Sequence, residues 1–136
     1  MKQKTVLFLC TGNSCRSQMA EAIVNARYLE WKAFSAGTKP AGYIHELAFE
    51  TLNEIGIAHS GESKPINDLP TKDFDLVVTV CNSAAEECPV WPGKAGRRVH
   101  HDFVDPAKAE GTLDERKQVF RQVRDEMLEV IPKLLK

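Results

Sequence analysis

Residues 5–17 read TVLFLCTGNSCRS, an apolar run followed by a small turn, an arginine and a serine. The run over 5–10 is rich in β-formers and predicts a buried parallel strand. Gly12 and Asn13 come next and tolerate the left-handed backbone of a tight loop, and a helical pattern opens at Ser14 or Cys15. The stretch therefore predicts a strand, a loop and a helix in direct succession.

The same alternation continues along the rest of the chain. Strand patterns at 31–36, 74–80 and 98–101 alternate with helical patterns at 45–55 and 112–135, and 60–72 is typical of a loop with a short helical turn. We therefore expect one α/β domain over residues 1–136, a small doubly wound four-stranded parallel sheet with about four helices on both faces.

Ligands of doubly wound sheets bind outside the carboxyl ends of the strands. Cys10 ends the first predicted strand, Cys81 follows the third, and Asp105 lies four residues beyond the fourth. These three side chains, distant in sequence, should therefore meet at one edge of the sheet.

Composition limits the partners of this domain. The 136 residues carry 18 Lys and Arg against 19 Asp and Glu, which argues against a general nucleic-acid or anionic-membrane binder. The longest strongly apolar run, residues 6–10, is far short of a membrane span, and the N-terminus has no signal-peptide pattern. We expect a cytoplasmic protein with no nucleic-acid or membrane partner, and a monomer because no exposed apolar stripe stands out.

The loop over residues 10–17 has the pattern C-x5-R-S, which suits an oxyanion. Backbone N–H groups of a tight loop at a helix N-terminus form a concave anion site, and the Arg16 guanidinium can bind two oxygens of a tetrahedral oxyanion. Cys10 lies where the helix dipole and Arg16 favour a thiolate, and Ser17 can donate a hydrogen bond to its sulfur. The predicted nucleophile is Cys10, and the predicted oxyanion ligands are Thr11, Gly12, Asn13, Ser14, Cys15 and Arg16.

This loop resembles the signature loop of the low-molecular-weight protein tyrosine phosphatases, and it resembles more closely that of the arsenate reductases built on the same fold. The similar stretch continues through residues 17–21, SQMAE, and 35–37, SAG. Along nearly its whole length the chain looks like the thioredoxin-coupled arsenate reductase family. The resemblance implies the low-molecular-weight tyrosine phosphatase fold, arsenate as substrate and thioredoxin as electron donor.

The cysteines of the second half favour one of these two activities. A phosphatase and an oxyanion reductase need the same cradle and the same first attack by sulfur. A phosphatase releases its adduct with water, whereas a reductase must supply two electrons, and a thiol pair supplies them by closing a disulfide. Cys81 and Cys88 follow a predicted strand within 77–89, VVTVCNSAAEECP. We therefore favour an arsenate reductase with residual phosphatase activity; a low-molecular-weight tyrosine phosphatase, and a thiol redox sensor or oxyanion-binding module, are the alternatives.

The resemblance also implies a thiol relay. Cys10 attacks arsenate and forms an adduct, Cys81 attacks Cys10 and releases arsenite, Cys88 then takes over the bridge with Cys81, and thioredoxin reduces it. An intact helix over 81–88 would span about 10 Å, but bridged Cα atoms lie about 4.4–6.8 Å apart. The segment must therefore unwind or loop out when it oxidises.

Two further residues of the site are interpreted from the same resemblance. Asp105, just before Pro106, matches the general acid that protonates the leaving oxygen of the oxyanion. Cys15, inside the start of the helix, we interpret as a structural or loop-tuning residue without an essential redox role.

A candidate potassium site follows from the resemblance, and no tightly bound cofactor is expected. Asn13, Glu21 and Ser35 match positions where some family members hold potassium, but Pro65 stands where those members have an acidic ligand. The chain has four histidines without a metal-binding spacing, which we interpret as surface or packing residues: His45, His59, His100 and His101.

Overall fold

The computed structural model of the protein describes residues 3–82 and 88–136. Its elements in chain order are β1 (Lys4–Cys10), α1 (Arg16–Arg27), β2 (Trp31–Gly37), α2 (Glu46–Asn53), β3 (Asp73–Thr79), β4 (Lys94–His100) and α3 (Leu113–Leu134), with short 3-10 turns at Ile66–Asp68 and Pro106–Lys108. The predicted four-stranded parallel α/β fold is confirmed. Among the described residues, none of these helices is long and apolar enough to cross a membrane.

The sheet has the strand order β2-β1-β3-β4, and every pairing is parallel. Cys10 pairs with Gly37 of β2, and Leu9 pairs with Thr79 of β3, which in turn pairs with His100 of β4. All four strands therefore end at one edge, and Cys10 lies at the tip of an interior strand.

Alternation along the strands divides the apolar side chains between the two faces of the sheet. Val6, Phe8 and Val78 lie on the face that α1, α2 and α3 cover. The opposite face, which carries Leu7, Leu9 and Val77, packs against the side chains of Leu69 and Trp91. Within the described ranges the α-helices thus share one face, and the second face is covered by loop residues and the turn at Ile66–Asp68.

The largest difference from the predicted boundaries is in β4. It begins at Lys94, four residues before the predicted strand. The sequence pattern does not indicate this start because the edge strand is mostly exposed and carries charges where a buried strand would be apolar. The predicted turn within 60–72 is confirmed at Ile66–Asp68. α3 begins with the predicted capping box and continues through Pro132, whose missing N–H removes only one hydrogen bond in the final turn.

Candidate active site

The loop between β1 and α1 turns its backbone carbonyls away from its centre. Each carbonyl from residue 10 to residue 15 accepts a hydrogen bond of 2.8–3.3 Å, either from a neighbouring segment or from α1. Because the N–H and C=O groups of a trans peptide point in opposite directions, the N–H groups of these peptides face the centre of the loop. Such a concave array of N–H groups is suited to an anion. The donors to the carbonyls are the backbone N–H groups of Thr38, Lys39, Ala41, His45 and Met19, the side-chain amide of Gln18 and the hydroxyl of Ser63.

The end of β2 supports the loop at close range. A Cβ atom at Gly37 would lie 2.4 Å from the Thr11 carbonyl oxygen, so only glycine fits there. Asn13 has a φ of 50°, as its predicted left-handed role requires. Gly12 is expected to tolerate the same conformation but does not adopt it: its φ lies outside the left-handed region, and an added Cβ would meet no atom within 4 Å. The short polar side chain of Asn13 makes this left-handed conformation accessible to a residue other than glycine.

Two groups lie within hydrogen-bond distance of the Cys10 sulfur. The backbone N–H of Asn13 lies 3.2 Å from Cys10 Sγ, and Ser17 Oγ lies 2.9 Å from it. Ser17 Oγ accepts from Asn13 Nδ2 at 2.8 Å, and when Cys10 is a thiolate, which has no proton to give, the Ser17 hydroxyl donates its own proton to the sulfur. Both donors stabilise the negatively charged form of a sulfur nucleophile.

The Asn13 side chain is itself fixed by the α1 side chain of Gln18. Asn13 Oδ1 accepts from Gln18 Nε2 at 2.9 Å and from the backbone N–H of Lys64 at 2.9 Å. Gln18 Oε1 in turn accepts from His59 Nε2 at 2.8 Å, which requires the proton of the neutral ring to be on Nε2. A buried chain of hydrogen bonds therefore runs from His59 to Cys10.

A cavity of about 180 Å³ opens over the loop and brings the predicted acid to it. Its lining includes Cys10, Arg16 and Asp105, with Tyr43 at its exposed rim. Arg16 Nη1 donates to the carbonyl of Phe103 at 3.3 Å, and Arg16 Nη2 lies 3.6 Å from Asp105 Oδ2. The guanidinium is thus held between the loop and the Asp105 turn, beside the space that an oxyanion would occupy.

Cys15 also lines this cavity, but it is not prepared for nucleophilic attack. It is buried, and burial together with the nearby Asp105 carboxyl raises the pKa of its thiol to about 12. At neutral pH Cys15 therefore stays protonated, which agrees with a structural role.

Cys81 and Cys88 are joined by a disulfide, while Cys10 and Cys15 are free thiols. The Cα atoms of the bridged pair lie 5.8 Å apart, a distance that an intact helix over 81–88 would exceed. The predicted unwinding of this segment concerns residues 83–87, which lie outside the described residues. The backbone N–H of Val80 donates to the carbonyl of Leu9 at 3.0 Å, so the β1–β3 ladder continues to the residue before Cys81.

A family model for the low molecular weight phosphotyrosine protein phosphatases matches residues 5–136. The chain belongs to this family. An arsenate reductase of Halalkalibacterium halodurans is 48% identical over 130 residues, and one of Bacillus subtilis is 45% identical over 130; each alignment covers 93% of this chain and 91% of the relative. A solved arsenate reductase from Archaeoglobus fulgidus superposes with a TM-score of 0.70 at 31% identity, covering 93% of this chain and 98% of that one. A thioredoxin-dependent arsenate reductase of Corynebacterium glutamicum superposes with a TM-score of 0.65 at 27% identity, covering 98% and 62%. The predicted resemblance to the arsenate reductases of this fold is confirmed.

The candidate potassium ligands Asn13, Glu21 and Ser35 are engaged by protein groups in this structure. Both lone-pair positions of Asn13 Oδ1 are used by Gln18 and by the Lys64 N–H, and Ser35 Oγ donates to Glu21 Oε1 at 3.0 Å. Burial raises the pKa of the Glu21 carboxyl, and the positive charge of Lys64 acts in the opposite direction. The positive charge of Lys64 thus already acts on the Glu21 carboxyl.

Two of the four histidines make contacts that are ordinary for surface or packing residues, and two make contacts that the sequence interpretation does not indicate. His45 caps α2 by accepting the N–H of Leu47 at 3.1 Å, and His101 contacts Glu126 at 3.0 Å near the surface. His59 ends the hydrogen-bond chain to Cys10, although its sequence neighbourhood carries no motif.

His100 is the second histidine that the sequence interpretation misses. His100 is exposed, as its interpretation as a surface residue predicts, but one of its ring nitrogens and the sulfurs of Cys81 and Cys88 all lie within 4.8 Å of one another, which sequence spacing does not indicate. Among the described residues this is the one such cluster of potential metal ligands, but in the oxidised state its two sulfurs are bonded to each other. The signal for it lies in the pairing of β3 with β4 rather than in sequence spacing.

Proposed function

We propose that the protein is an arsenate reductase that uses Cys10, Cys81 and Cys88 as a thiol relay, with thioredoxin as its electron donor. Curated relatives with more than nine-tenths of their length aligned carry the name arsenate reductase at 41–48% identity. The single observation that carries the proposal is the Cys81–Cys88 disulfide at the end of the strand next to Cys10. A phosphatase has no use for such a pair.

The first step takes place in the cradle of inward-facing N–H groups. Arsenate binds there with two of its oxygens on Arg16, and the Cys10 thiolate attacks the arsenic. Asp105 protonates the oxygen that departs as water. The hydrogen bonds from Ser17 and Asn13 keep the sulfur of Cys10 in position for this attack.

The second step moves two electrons to arsenic. The Cys81 thiolate attacks Cys10 Sγ, the electron pair of the As–S bond passes to arsenic, arsenite leaves and a Cys10–Cys81 disulfide remains. Extending the β1–β3 register sets Cys81 one position beyond the residue opposite Cys10. This corresponds to a Cα separation of about 6 Å for strands about 4.8 Å apart with a rise of about 3.3 Å, which is within disulfide range. Because successive side chains alternate between faces, Cys81 has to turn toward the loop to react.

The third step moves the disulfide from the Cys10–Cys81 pair to the more exposed Cys81–Cys88 pair. Cys88 attacks Cys81, Cys10 departs as a thiolate, and the Cys81–Cys88 disulfide of this structure results. Cys81 is 0% exposed and Cys88 is partly exposed, so an external dithiol would attack Cys88. The structural similarity to the thioredoxin-dependent arsenate reductase of Corynebacterium glutamicum supports thioredoxin as that dithiol.

Val90 offers a test of the partner because it is an apolar side chain, 85% exposed, two residues from Cys88. Val90→Asp should raise the KM for thioredoxin and leave reduction by dithiothreitol unchanged. Leu29→Asp is the matched control, since Leu29 is 71% exposed at the opposite edge of the sheet, before β2. Equal effects of the two variants would argue against docking beside Cys88.

The relay also suggests where and how the protein works. Thiols that must be reduced again after each turnover suit the reducing cytoplasm, so we infer a cytoplasmic location. The cradle and the relay residues come from one chain, which is consistent with a monomer.

We further propose that Lys64, rather than potassium, balances the buried Glu21 carboxylate. Arsenite formation should therefore be the same in potassium and in choline chloride; a several-fold stimulation by potassium alone would refute this.

The experiment that tests the function needs no donor. The protein is reduced with dithiothreitol, freed of it and mixed with arsenate, and both arsenite and free thiols are counted. A relay releases one arsenite and loses two thiols per protein. A tyrosine phosphatase loses no thiols and forms no arsenite, and a redox sensor loses thiols without arsenate.

Substitutions of the three cysteines separate the steps. Cys10→Ser should abolish arsenite release and any phosphatase activity together. Cys81→Ser should stop the relay and spare phosphatase activity, which the family match and the shared cradle favour as a residual function. Cys88→Ser should allow one turnover and block recycling by thioredoxin; many thioredoxin-driven turnovers in this variant would contradict its role.

A further inference from the structure

The disulfide lies beside a histidine that is held at both ring nitrogens. His100 Nδ1 is 2.6 Å from the hydroxyl of Thr79 on the neighbouring strand, and His100 Nε2 is 2.5 Å from Asp102 Oδ1. A ring nitrogen lies within 4.8 Å of both sulfur atoms of the Cys81–Cys88 pair. The ring is therefore fixed next to the bond that the reductant must break.

The partners of this ring suit it in both protonation states. A carboxylate only accepts, so Asp102 keeps a proton on Nε2. The Thr79 hydroxyl can donate to an unprotonated Nδ1 or accept from a protonated one. His100 can therefore gain or lose the Nδ1 proton without losing either hydrogen bond, and its partly exposed side chain allows it to exchange protons with solvent.

Reduction of the disulfide creates a buried negative charge. A thiolate attacks the reachable sulfur in line with the S–S bond, and here the reachable sulfur is that of Cys88. The leaving sulfur is then that of Cys81, which is 0% exposed. A buried thiolate without a partner is strongly disfavoured, so this step needs a nearby proton or positive charge.

We propose that His100 supplies the proton to Cys81 when the Cys81–Cys88 disulfide is reduced, and that Asp102 positions its ring. The attacking thiolate bonds to Cys88 Sγ, the S–S bond breaks, and its electron pair passes to Cys81 Sγ. The protonated His100 ring transfers one proton to this sulfur and becomes neutral, while the thiol that was ionised to attack has released its proton to solvent. This inference rests on the proposed function only for the identity of the natural dithiol.

The test measures the rate at which dithiothreitol reduces the oxidised protein: samples are quenched with acid, freed of dithiothreitol and assayed for free thiols on the protein. His100→Ala and His100→Gln should each slow this rate by about tenfold or more. Added imidazole should restore most of the rate of His100→Ala, because it can enter the space left by the ring. His101→Gln is the matched control, a neighbouring histidine with a similar carboxylate partner, and should stay within twofold of the parent.

The test of Asp102 must separate the effect of its carboxylate from an effect of packing. Asp102→Asn should slow the reduction, and Asp102→Glu should recover part of the rate because it restores the carboxylate. Unchanged rates in both His100 variants would overturn the proposal, and so would a slowing that imidazole does not relieve. Dithiothreitol reduction does not involve arsenate, so a protein that fails the arsenite test can still pass this one, and the reverse.

Discussion

The Gly37→Ala substitution tests whether β2 holds the oxyanion loop in shape. The added Cβ would lie 2.4 Å from the Thr11 carbonyl oxygen, and that oxygen is backbone, which cannot rotate away as a side chain would. To reach an ordinary contact of 3.4 Å the Thr11 peptide must retreat by about 1 Å. The same peptide presents the Gly12 N–H to the oxyanion, so the cradle opens on one side.

The expected effects of Gly37→Ala follow from this displacement. A shift of 1 Å in a positioning group lowers a rate by about a hundredfold. Overpacking of this kind also destabilises a fold by about 1–3 kcal/mol. We therefore expect a roughly hundredfold slower arsenite burst in the donor-free assay, together with a lower urea midpoint.

The matched control is Gly111→Ala, which strains the backbone far from the cradle. Gly111 has a φ of 111°, and its added Cβ would lie 3.1 Å from the Glu115 carboxyl group at the start of α3. This variant should lose about 1–3 kcal/mol of stability and keep the parent burst rate. A normal burst in Gly37→Ala, or equal slowing in both variants, would refute the reasoning that the β2 contact sets the loop geometry.

Three further substitutions test single contacts. Ser17→Ala removes the 2.9 Å donor to Cys10 Sγ, and because hydrogen bonds to charged groups contribute about 1.5–3 kcal/mol, the arsenite burst should slow by at least about tenfold; a parent rate would exclude this role. Thr112→Ala removes the capping box of α3 and should cost about 1 kcal/mol in urea unfolding with activity unchanged. The pKa of Glu54 is lowered from 4.5 to about 2, chiefly by hydrogen bonds from Arg121. The ionised Glu54 carboxylate thus contributes to the free energy of unfolding above pH 4.5, and this contribution is lost as the pH falls toward 2. The urea midpoint should therefore fall less over this range in Glu54→Gln than in the parent.

Local sequence was enough to predict the cradle because its parts are neighbours in the chain. Cys10, Arg16 and Ser17 lie within one strand–loop–helix unit, and a strand followed by a short loop leaves them few other arrangements. Asp105 could be predicted at the same edge because parallel strands end together. The start of β4 could not, since Lys94–His100 is an exposed edge strand whose charges hide its alternation.

The residues that the sequence did not reveal are those brought in by strand pairing and loop packing. His100 reaches the disulfide because it pairs with Thr79 across β3 and β4, and no spacing within the chain encodes that register. His59 reaches Gln18 across 41 residues through the loop after α2. Of the two loop residues that tolerate a left-handed backbone, Asn13 adopts it and Gly12 does not, and the side chain of Asn13 is held by hydrogen bonds with Ser17 and Gln18.

The outward-turned carbonyls have a consequence for selectivity. They fix the inward N–H groups before any ligand arrives, and those groups respond to the size and charge of a tetrahedral anion, which phosphate shares with arsenate. The fit of the anion in the loop therefore cannot distinguish arsenate from phosphate. Selectivity must therefore arise after binding, and it depends on whether the central atom accepts an electron pair from sulfur. Phosphate should bind as a competitive inhibitor that is not reduced, while arsenate alone is consumed.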